Sequence, residues 1–243
     1  MRAIPHAAGR RIAHDRAMTW PANTRASADV GPTIEIRPTR ERILDAAEDA
    51  FAREGYFAAT IRGITQAAGV ELSLSRYHFG SKDELFRQVL ARRADAICSM
   101  LEASLARAGA HRPPTLRAVV ESMVVPAIER LASGDPGWRN YLRLLASFGL
   151  LNERHDLLAP WRERYAPTLA QYRRALAAAL PGAPDHAVGW GLHFLQILVG
   201  HALLDLGIVR YLEGVPDAPV PWHEMREQLV RHVVAGLRAQ CKS

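Results

Sequence analysis

Gly69 sits between two stretches each too short to stand as an independent helix, Ile61–Ala68 and Glu71–His78. Isolated helices below about 12 residues are marginal in water. A chain that writes two such pieces back to back must therefore hold them against something else. Glycine supplies the backbone freedom for a tight turn, and Thr60 stands where it can cap the first piece. Val70 is the expected apolar anchor between the two, and Phe79 closes a small core before Gly80 ends the second. Ser81 with Glu84 three residues on reads as a capping box, and Asp83 adds negative charge to the same helix start. The stretch 60–82 is thus helix, turn, helix, and the launch of a longer helix.

The flanks supply what these short helices pack against. Thr39 is expected to cap a helix that carries Ile43, Ala47, Ala50 and Phe51 on one face. Gly55 stops it, and Tyr56 and Phe57 should fold back onto it. The helix launched from Ser81 carries Leu85, Phe86, Val89 and Leu90 and runs on through Ile97 and Leu101 to about Arg107. Gly109, Pro113 and Pro114 then break the chain. A helix over 115–131 follows, with Pro126 expected to kink it. After a turn at 133–136 come helices over 138–151, 160–180 and, capped by Asp185, from His186 to about Tyr211. Pro216, Pro219 and Pro221 stiffen a loop before a last helix over 222–239, where Met225, Leu229, Val233 and Leu237 form one apolar stripe.

No strand pattern, internal repeat or glycine-rich phosphate loop is present. The expected fold is all-α: a three-helix unit with a helix-turn-helix over 39–90, then a helical domain over 91–243. Residues 1–38 mix Pro, Gly, Ala, Ser and Arg without periodicity and read as a disordered arm.

Charge alone does not announce a nucleic-acid partner. The net charge is +6, but residues 39–90 hold seven bases against eight acids, while 1–38 hold six against three and 91–243 eighteen against fourteen. Any DNA contact from the central unit must come from a few placed groups. No apolar run approaches the ~20 residues of a membrane span, and the N-terminus lacks the apolar core of a secretory signal. Cys98 and Cys241 are far apart and outside any metal-type spacing, as expected in a reducing cytoplasm. No nucleophile–base motif appears, so neither an enzyme nor a cofactor is expected.

Three segments in fixed order, RERILDAAEDAFAREGY, TIRGITQAAGV and YHFGSKDELF, resemble the N-terminal domain of the TetR family of bacterial transcriptional regulators. The resemblance spans Thr39 to about Leu90. It implies that the helix beginning near Glu71 enters the major groove of DNA. Carried over by position, Thr60 and Arg62 lie close to phosphate or a base edge, and Leu72, Ser73, Leu74 and Arg76 face the groove. Tyr77, His78 and Lys82 contact the backbone. The residue types suit these roles: Arg reads guanine bidentately, Leu touches a thymine methyl, and hydroxyl, imidazole and ammonium groups suit phosphate. Thr65, Ser75 and Arg76 depart from the family pattern. Arg62 has the plainer alternative of pairing with Glu71 or an acid of the first helix, Tyr77 and His78 that of surface or core residues with no ligand, Thr60 that of a cap, and Leu74 that of packing.

The resemblance implies that the C-terminal region is a ligand-binding and dimerisation domain. Trp138, Tyr141, Phe148, Trp161, Tyr165, Trp190, His193 and Phe194 are candidates to line an apolar effector pocket, or else form an ordinary aromatic core. His193, His201 and Asp205 share a helix face, as a pocket rim, a dimer seam or, less simply, a metal site. Small residues in the 186–211 helix and the Met225–Leu237 stripe point to a homodimer through the last two helices. The expected function is a repressor released from a palindromic double-stranded DNA operator by a small-molecule effector. The alternative is a binder or enzyme for apolar ligands with a vestigial helix-turn-helix.

Overall fold

A computed structural model describes residues 38–109, 114–151, 154–204 and 207–240, the side chains of 149, 150 and 240 excepted. Residues 1–37, Asp205 and Cys241, on which some expectations fall, lie outside the described residues. Every regular element among the described residues is helical. They are α1 (Thr39–Ala58), α2 (Ile61–Ala67), α3 (Leu72–Phe79), α4 (Lys82–Ala108), α5 (Leu116–Ala132) and α6 (Pro136–Ala146). A 3-10 turn over Ser147–Leu151 leads to α7 (His155–Ala179), α8 (Asp185–Ala202), α9 (Ile208–Leu212) and α10 (Trp222–Gln240). No described helix is long and apolar enough to cross a membrane.

Local chemistry explains most helix ends. Thr60 accepts a hydrogen bond from Gly63 N, Thr115 from Ala118 N, and Asp135 from Gly137 N and Trp138 N. The Asp135 cap, with Pro136 in the first turn, starts α6 two residues before the expected Trp138. Ser81 accepts from Glu84 N at 3.1 Å. The reciprocal half of the capping box is not made, because Ser81 N donates to Phe79 O and the Glu84 carboxylate turns to Gln88 and Arg87.

Other expected ends move. Thr39 is the first helical residue of α1 rather than its cap, which is Pro38. Gly55 does break α1, at φ 78°, and Tyr56 folds back into the core. Phe57 instead stays exposed, edge-on to Tyr56. α7 begins at His155, five residues early, and carries Pro160 and Pro167 within it. α8 ends at Ala202 instead of reaching Tyr211, and Gly207, at φ 67°, starts the separate α9. Asp185 lies inside α8 and Pro184 occupies its cap position.

Burial gathers the helices around two cores. The N-terminal core holds Ile43, Phe51, Ile64, Phe79, Leu85, Phe86 and Val89, and is completed by Leu144, Leu151, Leu157 and Leu158 from α6, the 3-10 turn and α7. The core of the unit over 39–90 thus draws four leucines from beyond it. The larger C-terminal core runs from Ile97 on α4 to Leu237 on α10. Val233 and Leu237 lie inside it, so that end of the α10 stripe packs in the protomer's own core, while Met225 and Leu229 are half-buried. An outer face remains open on α8, where Trp190, Phe194 and Ile197 recur at helical spacing and are all exposed.

Candidate nucleic-acid interface

The turn between α2 and α3 is locked from outside the motif. Gly69 takes φ 63°, and Arg42 of α1 donates to Ala68 O at 2.6 Å and Gly69 O at 2.9 Å. A Cβ on Gly69 would stand 3.0 Å from that guanidinium, so two independent constraints select glycine. Thr65 is buried, and its hydroxyl donates to the carbonyls of Ile61 and Arg62. That satisfies the polar group the sequence places at this crossing. Val70 is only half-buried against the same core.

α3 is held along one edge. Ser75 and Phe79 are buried, with Leu74 and His78 half-buried beside them. Leu72, Ser73, Arg76 and Tyr77 are exposed, Leu72 by 53% and Tyr77 by 82%. Leu74 therefore packs against the core, and Leu72 alone of the two leucines presents an open apolar surface. The His78 ring sits edge-on to Tyr77 at 5.1 Å. Arg62 and Arg76 have no ion-pair partner among the described residues. The Glu71 pairing considered for Arg62 is not formed.

The slightly acidic balance of the unit is met internally. Glu41 and Asp45 pair with Arg92, and Glu48 with Arg93, both arginines lying on α4 just past the unit's sequence boundary. Asp49 pairs with Arg53, and Asp83 with Arg154. Acids so engaged offset arginines of the scaffold and leave Arg62 and Arg76 free for a polyanion.

Lys82 is less free. Its ammonium donates to Phe57 O at 3.3 Å and lies 4.5 Å over the Tyr56 ring. Burial pulls it below the ordinary lysine value, against the pull of Asp83. Below it, Tyr56 donates to Asp83, and Arg154 bridges the pair, donating to Tyr56 Oη at 3.2 Å and to Asp83 Oδ2 at 2.5 Å. The Tyr56 hydroxyl and the Arg154 guanidinium hold Asp83 below the usual carboxylate value. Sequence reasoning gave Arg154 no role, since nothing local marks a residue 71 positions from its partner.

The aromatic candidates separate into three groups. Phe148, Trp161 and Tyr165 line a cavity of about 230 Å³ with Ile97, Met100, Met123, Leu142, Gln196 and Leu203. Phe148 and Trp161 meet edge to face at 4.9 Å. Among the described residues, no charged side chain lines this cavity. Burial raises the Tyr165 hydroxyl well above its ordinary value, keeping it a neutral donor. Trp138 and Tyr141 lie in the core instead. Trp138 is flanked by the Arg93 and Arg130 guanidiniums, and Tyr141 donates to Leu90 O at 2.7 Å. On the exposed face of α8 Trp190 stacks on Phe194 and meets His193 edge to face, because burial there follows Val188, Leu192, Leu195 and Val199 on the opposite side. His193 and His201 are exposed, and no group of three metal-ligating side chains occurs among the described residues.

Comparison with known proteins agrees in both halves. Residues 43–89 match the model of bacterial regulatory proteins of the tetR family, and residues 121–236 that of a tetracyclin repressor-like C-terminal domain. The HTH-type transcriptional regulator TtgW of Pseudomonas putida is 41% identical over 59 residues, covering 24% of this chain and 44% of its own. The repressor AcnR of Corynebacterium efficiens is 36% identical over 63 residues, covering 24% and 34%. The chain thus spans less than half the length of these curated relatives. Among solved structures, the ketosteroid regulator KstR2 of Mycobacterium tuberculosis superposes with a TM-score of 0.59 at 17% identity, over 83% of this chain and 96% of that one. AmtR of Mycobacterium smegmatis gives 0.55 at 24%, over 87% and 96%. At these identities the structures share the fold.

Proposed function

The chain belongs to the TetR family of bacterial transcriptional regulators, and on that premise we propose that it is a cytoplasmic, homodimeric repressor of transcription released from a palindromic operator by a small neutral molecule. The observation that carries the DNA reading is the state of α3. Its inner edge is buried, while Leu72, Ser73, Arg76 and Tyr77 stand exposed with Arg76 free of any internal ion pair. Arg76 suits a guanine edge, Leu72 a thymine methyl, and Ser73, Tyr77 and His78 the phosphate backbone. Thr60 and Arg62, at the start of α2, serve as phosphate contacts. Lys82 adds its charge beside the α4 N-terminus, with part of its donor capacity already used. Leu74 contributes by holding α3 in place.

A palindrome requires two copies about one helical turn (~34 Å) apart. The exposed Trp190, Phe194 and Ile197 of α8 are the proposed dimer seam, together with the open side of α10 at Gly236, where an added Cβ meets nothing within 4 Å. The effector is placed in the 230 Å³ cavity. A 150 Å³ apolar cavity accepts benzene, so this one suits a molecule of about two fused rings. The absence of charge in the lining favours a neutral ligand, with Tyr165 and Gln196 offering hydrogen bonds. α4 carries Ile97, Met100 and Leu101 into the cavity wall and Lys82 to the DNA end, about 22–29 Å apart along the helix. A ligand that prefers a cavity geometry incompatible with operator spacing shifts the population away from DNA.

Selection of bound fragments from genomic DNA, followed by footprinting, tests this reading. The expected result is a two-fold symmetric site bound by a dimer, with affinity falling steeply with salt. Recovery of no specific site would point instead to a helical binder of apolar ligands with an inactive DNA motif.

A further inference from the structure

The cavity and the DNA-binding unit share a wall. Most of the cavity lining belongs to the C-terminal core, but Phe148 and Trp161 pack against the N-terminal core. Phe148 stands on the 3-10 turn Ser147–Leu151, and Leu151 at its end is buried in the N-terminal core. Three residues later Arg154 caps α7 and reaches back to the DNA-binding unit. There it holds Asp83 in the first turn of α4 and Tyr56 at the end of α1, while Asp156 orients the guanidinium from Nε and Nη2 at 3.0 Å each. The Arg154 and Lys82 cations both lie against the Tyr56 ring. One planar side chain thus joins α1, α4 and α7, six positions from an aromatic ring that faces the cavity.

We propose that Arg154 is a positioning residue through which the state of the cavity sets the placement of the α4 N-terminus, and with it α3. This rests on the reading of the cavity as an effector site. It adds a second route beside α4 itself. A body in the cavity displaces Phe148, and the turn ending at the buried Leu151, three residues before Arg154, shifts with it. The guanidinium fork cannot follow without releasing Asp83 or Tyr56, since its donors are fixed in one plane. Asp83 neighbours Lys82, so the release moves a proposed phosphate contact directly.

The test needs no knowledge of the natural ligand, because a larger side chain in the wall can stand in for it. Ala127 and Ala146 both line the cavity, and Ala127→Leu or Ala146→Leu partly fills it. The full-length dimer is assayed for affinity to its selected operator as wild type, Ala127→Leu, Arg154→Gln and the double variant. Circular dichroism melting and light scattering confirm that each is folded and dimeric, and Ala146→Leu replaces Ala127→Leu if the latter is not.

Sites without shared partners normally contribute additively. The expected result is that filling the cavity changes operator affinity at least tenfold in the wild-type background and less than threefold with Arg154→Gln. An equal change in both backgrounds overturns the role of Arg154 and leaves α4 as the route, with the effector reading intact. No change in either background, with both filling variants folded, overturns the effector reading and this proposal together.

Discussion

The two cores of this protein are built differently. Around the helix-turn-helix, Phe51, Tyr56 and Phe86 form a buried aromatic cluster with ring centroids 5.0 to 6.2 Å apart, and α1 is riveted to α4 by Arg92 and Arg93. The C-terminal domain is larger and more aliphatic and is bordered by open clefts, 230 Å³ beside Phe148 and Trp161 and about 430 Å³ between α8, α9 and α10, with a further 230 Å³ beside Leu90 and Leu157 of the N-terminal core. Close packing transmits displacement, whereas a cavity admits a ligand. The contrast suits a rigid reading head driven by a domain with room to change.

The largest expected effect tests that contrast directly. Phe51→Ala should cost about 3–5 kcal/mol in denaturant unfolding, because a fully buried ring leaves a void that its neighbours cannot fill. Phe148→Ala, half-buried on a cavity that already exists, should cost about 2 kcal/mol or less. Equal costs would show that the cavity beside Phe148 does nothing to lower the cost of removing a ring.

Next in size are effects on assembly and DNA. Phe194→Arg places charge on the open face of α8 and should yield folded monomer by light scattering, with operator affinity down at least a hundredfold. Val233→Arg should instead unfold the protomer, since Val233 is buried in its own core. Arg76→Ala should cost about 1–3 kcal/mol at the preferred site and relax base preference there. Lys82→Ala should weaken all sequences alike and shallow the salt slope by about one. Changed preference with an unchanged slope would remove Lys82 from the phosphate contacts.

A smaller effect follows from the Arg154 cluster. Asp83 titrates below its ordinary 3.8 in the folded protein, held there by Tyr56 and then Arg154. A depressed carboxylate stabilises the fold fully above its unfolded value and loses that contribution as pH falls through the folded one. Melting curves of wild type and Asp83→Asn should therefore differ most above about pH 4 and converge only as pH falls through the lower folded value. Smallest of all, Leu72→Ala should leave stability within about 0.5 kcal/mol while Leu74→Ala lowers it measurably, because only Leu74 packs on the core.

The all-α class, the turn at Gly69, the caps at Thr60 and Ser81, and the identity of the DNA-binding unit were all legible in the chain. The helices, turn and caps rest on residues within a few positions of one another, where backbone preference and hydrogen-bonding reach decide the outcome, and the DNA-binding unit was marked by the resemblance of three ordered segments to the TetR family. The two leucines of α3 could not be told apart that way, since a helix of eight residues has too few buried positions to set its own phase. Nor could the α10 stripe declare whether it faced its own core or a second copy, because an apolar face states only that it must be covered. The aromatic candidates formed one pool in the sequence, and packing divided them among core, cavity and outer surface. Arg154 was invisible for the same reason: its partners Tyr56 and Asp83 lie 98 and 71 residues away. Local chemistry determined most of the helices, and the order of three segments, through a family resemblance, marked the unit that reads DNA. Only tertiary packing decided which faces stay open and what ties the reading head to the cavity.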